Sequence, residues 1–118
     1  MVVHMASDDV ADRIFGALAD ATRRDILIRS MGTGQSVSTL ARSYVMSFAA
    51  VQKHVAVLER AELVSKQKLG REQIVRTNAA TLRQAAVLLE AYEQLWIQRV
   101  DQISEILTED ETDKGSSA

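Results

Sequence analysis

The sequence predicts a mainly α-helical domain with one small β-hairpin. Most of the chain places apolar residues at helical spacings of three and four. Residues 63–77 instead contain two short runs with β-branched residues on either side of a glycine. With 118 residues, 47% hydrophobic and 25% charged, the chain has the length and composition of one soluble domain. We expect that domain to span residues 8–107, between a disordered N-terminus (1–7) and an acidic disordered tail (108–118).

Two helices are predicted in the N-terminal third. Residues 8–18 follow an acidic start and place four apolar side chains near one helical face: Val10, Ile14, Phe15 and Leu18. A second helix begins after Asp20, because a carboxylate is a good N-cap. It ends in the segment GTGQS, where two glycines in three residues favour a turn.

Two more helices follow in close succession. Ser36 can cap a short third helix with apolar residues at i, i+3, i+4 and i+7. After a brief break, Ser47 can cap a fourth helix over residues 47–61. Two short helices joined by a few residues, the second with the more open outer face, form a helix-turn-helix arrangement.

The predicted hairpin covers residues 63–77, and Gly70 can adopt the positive φ that a tight turn needs. A helix-turn-helix followed by a two-stranded wing is a winged helix. Asn78 then offers a cap for a long final helix, residues 79–107.

The final helix carries more apolar surface than a small core can cover. We therefore expect a homodimer formed through the N- and C-terminal helices, although packing within one subunit could instead absorb the whole face. The predicted interface residues are Val10, Ile14, Phe15, Leu18, Leu89, Tyr92, Leu95, Trp96, Val100 and Ile103.

Charge is divided unevenly along a chain whose net charge is -2. Residues 36–77 hold seven Lys or Arg against three acids, a balance of +4, whereas residues 101–118 hold six acids against one Lys, a balance of -5. Such asymmetry is typical of a nucleic-acid-binding surface with an acidic tail, and an ordinary solvated surface is the alternative.

The fourth helix has the features of a DNA-recognition helix. Its outer face is small near the N-terminus, which would let Gln52 pair with adenine and Lys53 reach guanine or a phosphate. Phe48 could contact a thymine methyl group or cover the helix junction. Cations of the hairpin would contact the phosphate backbone. The predicted DNA-binding residues are Ser47, Phe48, Ala49, Gln52, Lys53, His54, Arg60, Lys66, Lys68, Arg71 and Arg76.

Three ordered blocks, LADATRRDIL, LARSYVMSFAAVQKHVAVLERAELV and KLGRE, resemble the ArsR-type winged-helix transcriptional regulators. The resemblance implies a homodimer that binds double-stranded DNA at an inverted-repeat operator and represses transcription, often of its own operon. Ala21 stands where the family usually has proline, and the turn between the third and fourth helices lacks a glycine often seen there.

Metal-sensing members of that family resemble one another in carrying cysteines on the third helix, or acid and histidine ligands on the last. This chain has no cysteine, and its final helix has no histidine. We therefore expect no metal and no cofactor. Asp101, Glu105 and Glu109 could share a helix face as ligands for a hard metal, but a solvated helix end is the simpler interpretation.

Parts of the sequence are also compatible with functions other than DNA binding. A winged helix that binds a protein through the region of Tyr44 and Phe48 is the main alternative. A small-molecule effector could bind near Phe15, Tyr92 and Trp96. An interface without a ligand is the alternative explanation for aromatic residues at these positions. No Ser/His/Asp or Cys/His set and no phosphate loop indicates an enzyme. The sequence shows no signal peptide or membrane span, so a cytoplasmic location is expected.

Overall fold

The computed structural model describes the backbone of residues 2–116 and the side chains of residues 8–108. The chain divides into two compact units, one up to residue 85 and one from residue 86 onward. The elements in chain order are α1 (Val2–Leu18), α2 (Ala21–Arg29), β1 (Gln35–Ser36), α3 (Val37–Arg42), α4 (Phe48–Arg60), β2 (Val64–Leu69), β3 (Glu72–Thr77) and α5 (Ala79–Ser116). This order confirms the predicted winged helix-turn-helix.

Side-chain caps define where three of the helices begin. The Asp20 carboxylate accepts a hydrogen bond from the Arg23 backbone N–H at 3.0 Å. Ser36 Oγ accepts from Thr39 N–H, and Ser47 Oγ accepts from Ala50 N–H, each at 3.1 Å. Because each bond satisfies an N–H that lacks a partner within its helix, the predicted starts of α2, α3 and α4 are confirmed.

The sheet has three antiparallel strands in the order β1-β3-β2. The β2–β3 hairpin was predicted, and Gly70 at its turn has a φ of 63°. β1 was not predicted. It consists of Gln35 and Ser36, which lie opposite Val75 and Ile74, and two residues are too few to show an alternating pattern.

The first unit has one hydrophobic core, to which α1–α4 and both wing strands contribute. Its largest fully buried hydrophobic side chains are Ile14, Ile26, Leu40, Val51, Val55, Leu58, Leu63 and Val75. Thr77 joins the wing to the end of α2. Its backbone N–H donates to the carbonyl of Ser30 at 3.0 Å, and its hydroxyl donates to that of Leu27 at 2.6 Å.

The core requires one correction to the predicted dimer interface. Ile14 is only 1% exposed and lies among the core side chains, so it cannot contact a partner subunit. Val10, Phe15 and Leu18 pack against the core but are only half-buried, so their place in the dimer interface stays a prediction. Ile14 was assigned to the interface because amphipathic spacing shows that a face is buried, and not which molecule buries it.

The helices extend further than predicted at both ends of the chain. α1 begins at Val2, and α5 continues to Ser116, so both helices pass the predicted domain bounds of residues 8 and 107. Disorder of the two termini stays a prediction. Neither segment contains proline, and the only glycine is Gly115, so no residue before it breaks the helical hydrogen-bond pattern. Met1 and residues 117–118 lie outside the described part of the chain.

In the second unit α5 is one continuous helix. Over residues 86–108 its side chains are exposed, apart from the half-buried Leu88. Within the described residues, no helix is long and apolar enough to cross a membrane.

Two glycines before β1 provide a test of this packing. Gly32 (φ +77°) and Gly34 (φ +82°) both have left-handed backbone conformations, but a Cβ on Gly34 would lie 2.5 Å from the carbonyl oxygen of Val75. A Cβ on Gly32 would meet open space. Gly34→Ala should lower the free energy of unfolding by about 2–5 kcal/mol, and Gly32→Ala by about 1–2 kcal/mol. Urea unfolding followed by circular dichroism measures both, and equal losses would contradict the predicted clash.

Candidate nucleic-acid interface

The orientation of α4 is set by the core. Val51, Val55 and Leu58 are 0%, 1% and 0% exposed. Gln52 and Lys53 are exposed on the outer side of the same helix. Ala49 is also exposed and adds little bulk to its first turn. The outward orientation predicted for these three residues is confirmed, and their contact with DNA stays a prediction.

The N-terminal end of α4 is also exposed. Ser47 is exposed, with its Oγ engaged by the Ala50 N–H. Phe48 is 47% exposed, so at least part of its ring does not cover the helix junction. Val45 was not predicted as a site residue, and it is fully exposed in the turn before α4. No sequence pattern distinguishes it, because its neighbours Tyr44 and Met46 are apolar as well and only the structure shows them partly buried.

His54 occupies a different environment from Gln52 and Lys53. It is half-buried, and its Nδ1 lies 3.4 Å from Nη1 of Arg23 on α2. For Nδ1 to accept a hydrogen bond from this guanidinium, its proton must be on Nε2. His54 therefore links α4 to α2, and its predicted contact with DNA is limited to its remaining exposed surface.

Arg23 connects three helices. Its Nε donates to the carbonyl of Ala17 at 2.8 Å, and its Nη2 donates to that of Gly16 at 3.1 Å. These carbonyls belong to the last turn of α1, where the regular helical hydrogen bonds end. That of Gly16 also accepts from the backbone N–H of Ala19 at 3.3 Å. The backbone N–H of Arg23 and its positive charge lower the pKa of Asp20, whose carboxylate also lies 4.0 Å from Nη1. Sequence analysis did not assign these contacts, although the Arg23-Arg24 pair was part of the family resemblance.

Arg60 is not grouped with the other predicted DNA-binding residues of α4. It lies in the last turn of the helix and lines a groove with Asp12, Arg13 and Gly16 of α1. At 1.5 Å per residue, Arg60 is roughly 12 Å along the helix from Gln52. The structure therefore separates it from the N-terminal half of α4, where a recognition helix meets bases.

The cations of the wing lie on two faces of the hairpin. The strand register places Lys66 and Lys68 on the face of the buried Val75, and Arg76 on the opposite face. Lys66 pairs with Glu59 at 3.7 Å. Arg76 donates to the carbonyl of Thr33 at 3.1 Å and to the side chain of Gln67 at 3.3 Å.

Lys68 and Arg71 lie nearer the wing tip, and both are exposed. Lys66 and Arg76 are exposed as well, but each also contacts a partner within the chain, whereas Lys68 and Arg71 extend the basic surface outward. Of the four predicted wing cations, these two are therefore the better placed to meet a phosphate backbone.

A polar cluster anchors the turn between α3 and α4. The Tyr44 hydroxyl and Arg29 Nε both donate to the Asp25 carboxylate, the latter at 2.7 Å. These two bonds hold the pKa of Asp25 below its ordinary value, and the bond from Tyr44 has the larger effect. Partial burial, with the bond to Asp25, raises the pKa of Tyr44 to about 12. The Arg29 guanidinium carbon also lies 5.8 Å from the centre of the Tyr44 ring.

No metal site is shown by the part of the chain with described side chains. Within it, no three His, Asp or Glu residues come together. Glu109 lies outside that part. Phe15 packs against the core, whereas Tyr92 and Trp96 are exposed on α5. An effector near these aromatics stays a prediction.

The contacts of Arg23 predict its effect on stability. Arg23→Met keeps most of the side-chain stem but leaves the carbonyls of Gly16 and Ala17 without this donor. It should lower the free energy of unfolding by about 1–3 kcal/mol. Arg24→Met is the matched control, because the exposed Arg24 makes one such bond, to Leu18 O at 2.8 Å, and should cost less than about 1 kcal/mol. Thermal unfolding compares them, and a loss for Arg24→Met as large as that for Arg23→Met would contradict this role.

Comparison with known proteins is consistent with this architecture. No protein-family profile matches the chain. The HTH-type transcriptional regulator Rv2034 of Mycobacterium tuberculosis is 39% identical over 75 residues, which cover 61% of this chain and 70% of that protein.

Solved structures with a similar fold include an ArsR-like regulator and a winged helix-turn-helix domain. An ArsR-like transcriptional regulator from Rhodococcus sp. RHA1 is 34% identical, with a TM-score of 0.76, over 86% of this chain and 95% of that one. A homodimeric winged helix-turn-helix DNA-binding domain from Mycobacterium bovis is 22% identical, with a TM-score of 0.63, over 76% of this chain and 84% of that one. At this level of identity, the similarity supports the fold alone. This chain covers most of the length of both the Mycobacterium tuberculosis and the Rhodococcus relatives. It therefore belongs to the ArsR-like family of winged helix-turn-helix transcriptional regulators.

Proposed function

We propose that the protein is a homodimeric repressor that binds an inverted-repeat operator, with its own promoter as the first candidate target. The observation that carries this proposal is the surface of α4. Ala49, Gln52 and Lys53 are exposed in its first two turns, while the opposite side of the helix is fully buried. An exposed N-terminal half is the part of a recognition helix that enters the major groove.

The exposed groups suit DNA of defined sequence. Ala49 permits a close approach of the helix, so that Gln52 can reach base edges and pair bidentately with adenine. Lys53 can donate to guanine or to a phosphate. Lys68 and Arg71 at the wing tip would neutralise phosphates, which adds affinity but little sequence preference.

The α5 helix supports the proposal of a dimer. Leu89, Tyr92, Trp96 and Ile103 are each more than half exposed, and all lie within one broad stripe of the helix. Leu95 (55% exposed) and Val100 (39%) widen that stripe. A monomer rarely exposes so large an apolar surface. The Mycobacterium bovis relative is described as homodimeric, and we assign a second copy of this chain to the stripe.

A twofold dimer gives the operator its proposed symmetry. It would present two recognition helices to successive major grooves on one side of the duplex, roughly 34 Å apart. Occupying such a site within a promoter would block transcription. Because the binding neutralises phosphates and releases counterions, its affinity should fall steeply with salt.

Substitutions on α4 test the DNA surface. Gln52→Ala should weaken binding to the operator by about 5- to 150-fold and relax the preference for adenine at one position. Lys53→Ala should lower the salt dependence of binding by the amount expected for about one phosphate contact. Arg13→Ala removes an exposed cation beside the C-terminal end of α4 and should change neither. Fluorescence anisotropy with DNA from upstream of the protein's own gene measures the binding of all three variants. Absence of saturable binding by the unsubstituted protein at low salt would refute the proposal for that target.

Two substitutions of exposed residues on α5 test the dimer. Ile103 (58% exposed) lies in the apolar stripe, and Val87 (64%) lies roughly 160° around the same helix. Ile103→Asp would bury a carboxylate at the interface and should convert dimers to monomers at micromolar concentration. Val87→Asp introduces the same charge outside the stripe and should leave the dimer intact. Sedimentation equilibrium distinguishes the two, and a stable Ile103→Asp dimer would contradict the proposed interface.

A further inference from the structure

Two exposed apolar side chains flank the cap at which α4 begins. Val45 is fully exposed in the preceding turn, and Phe48, the first residue of the helix, is 47% exposed. Their neighbours Tyr44 and Met46 pack against the core. The turn therefore orients some of its apolar residues inward and others toward solvent. Each Å² of apolar surface left in water costs about 25 cal/mol of free energy.

The surroundings of these two side chains indicate what could cover them. Two residues provide far less area than the roughly 800 Å² that each partner contributes to a stable protein interface. Arg42 and Ser43 lie just before them and Gln52 and Lys53 just after, and all four are exposed. A fitting partner is thus polar and anionic overall, with small apolar groups at its surface.

The major groove of DNA has this character. The 5-methyl group of thymine is an apolar group that projects into it among hydrogen-bonding base edges and phosphates, and it is read by apolar side chains. Phe48 precedes Gln52 by four residues, about 6 Å along the helix, so that both can reach the same few base pairs.

We propose that Phe48 and Val45 recognise the 5-methyl group of thymine, and that each operator half-site has a thymine close to the adenine read by Gln52. This proposal rests on the proposed function, because it requires α4 to enter the major groove. It adds a source of sequence preference that needs no hydrogen bond. It also assigns a role to Val45, which no pattern in the sequence had indicated.

The test uses deoxyuridine, which differs from thymidine only by the missing methyl group. The probe is the tightest-binding duplex selected from a random library by the full-length protein. Replacing its thymines one at a time should weaken binding about fourfold at one or two positions in each half-site, as expected for one buried methyl group. Symmetric replacement in both half-sites should weaken binding about 15-fold.

Protein variants assign that effect to the two residues. Phe48→Ala and Val45→Ala should each show a smaller difference between the thymine and deoxyuridine duplexes, and the double variant should bind both with equal affinity. Leu69→Ala is the matched control, because Leu69 is 48% exposed but lies at the end of β2, and this variant should keep the full difference.

Three results would overturn the proposal, and each leaves DNA binding itself intact. They are a selected half-site without thymine, no deoxyuridine effect for the unsubstituted protein, or an undiminished effect for Phe48→Ala. If the unsubstituted protein selects no duplex and shows no saturable binding at low salt, the proposed function fails as well. Circular dichroism of each variant checks that its fold is retained.

Discussion

The burial of one side of α4 is the constraint on which the rest of this molecule depends. Val51, Val55 and Leu58 are almost completely buried, and rotation of the helix by even one residue position would expose some of them to water. The same packing therefore decides which side chains face outward at the N-terminal half. Ala49, Gln52 and Lys53 are displayed because the core fixes the helix, and the Ser47 cap fixes where it begins.

The cations of the first unit divide into those that hold the fold together and those that extend from it. Arg23 bonds the end of α1 and contacts His54, Arg76 bonds the loop before β1, and Lys66 pairs with Glu59 on α4. Lys53, Lys68 and Arg71 remain exposed. A winged helix that binds protein through Tyr44 and Phe48 receives less support, because Tyr44 is half-buried and its hydroxyl is bonded to Asp25.

Much of this architecture was predictable because its determinants are local. The caps Asp20, Ser36 and Ser47, the turn glycine Gly70 and the apolar spacing of α4 each act within a few residues, so the sequence displays them directly. The orientation of the candidate site residues on α4 was predictable for the same reason. The outward direction of Gln52 and Lys53 follows from one helical wheel.

The features that were missed depend on contacts between distant parts of the chain. β1 forms because residues 35–36 meet β3, some forty residues later in the sequence. Arg23 reaches back to α1 and across to His54, and no spacing rule connects these positions. The error at Ile14 is of a different kind. The apolar spacing predicted that this side chain is buried, but not that its own subunit buries it.

In the proposed complex, a dimer presents two copies of the exposed half of α4 to one side of a DNA duplex. Hydroxyl-radical footprinting of the protein on its tightest-binding duplex measures this arrangement. We expect two protected segments related by twofold symmetry, with centres about ten base pairs apart on one side of the helix. A single protected segment, or two segments on opposite sides of the duplex, would contradict it.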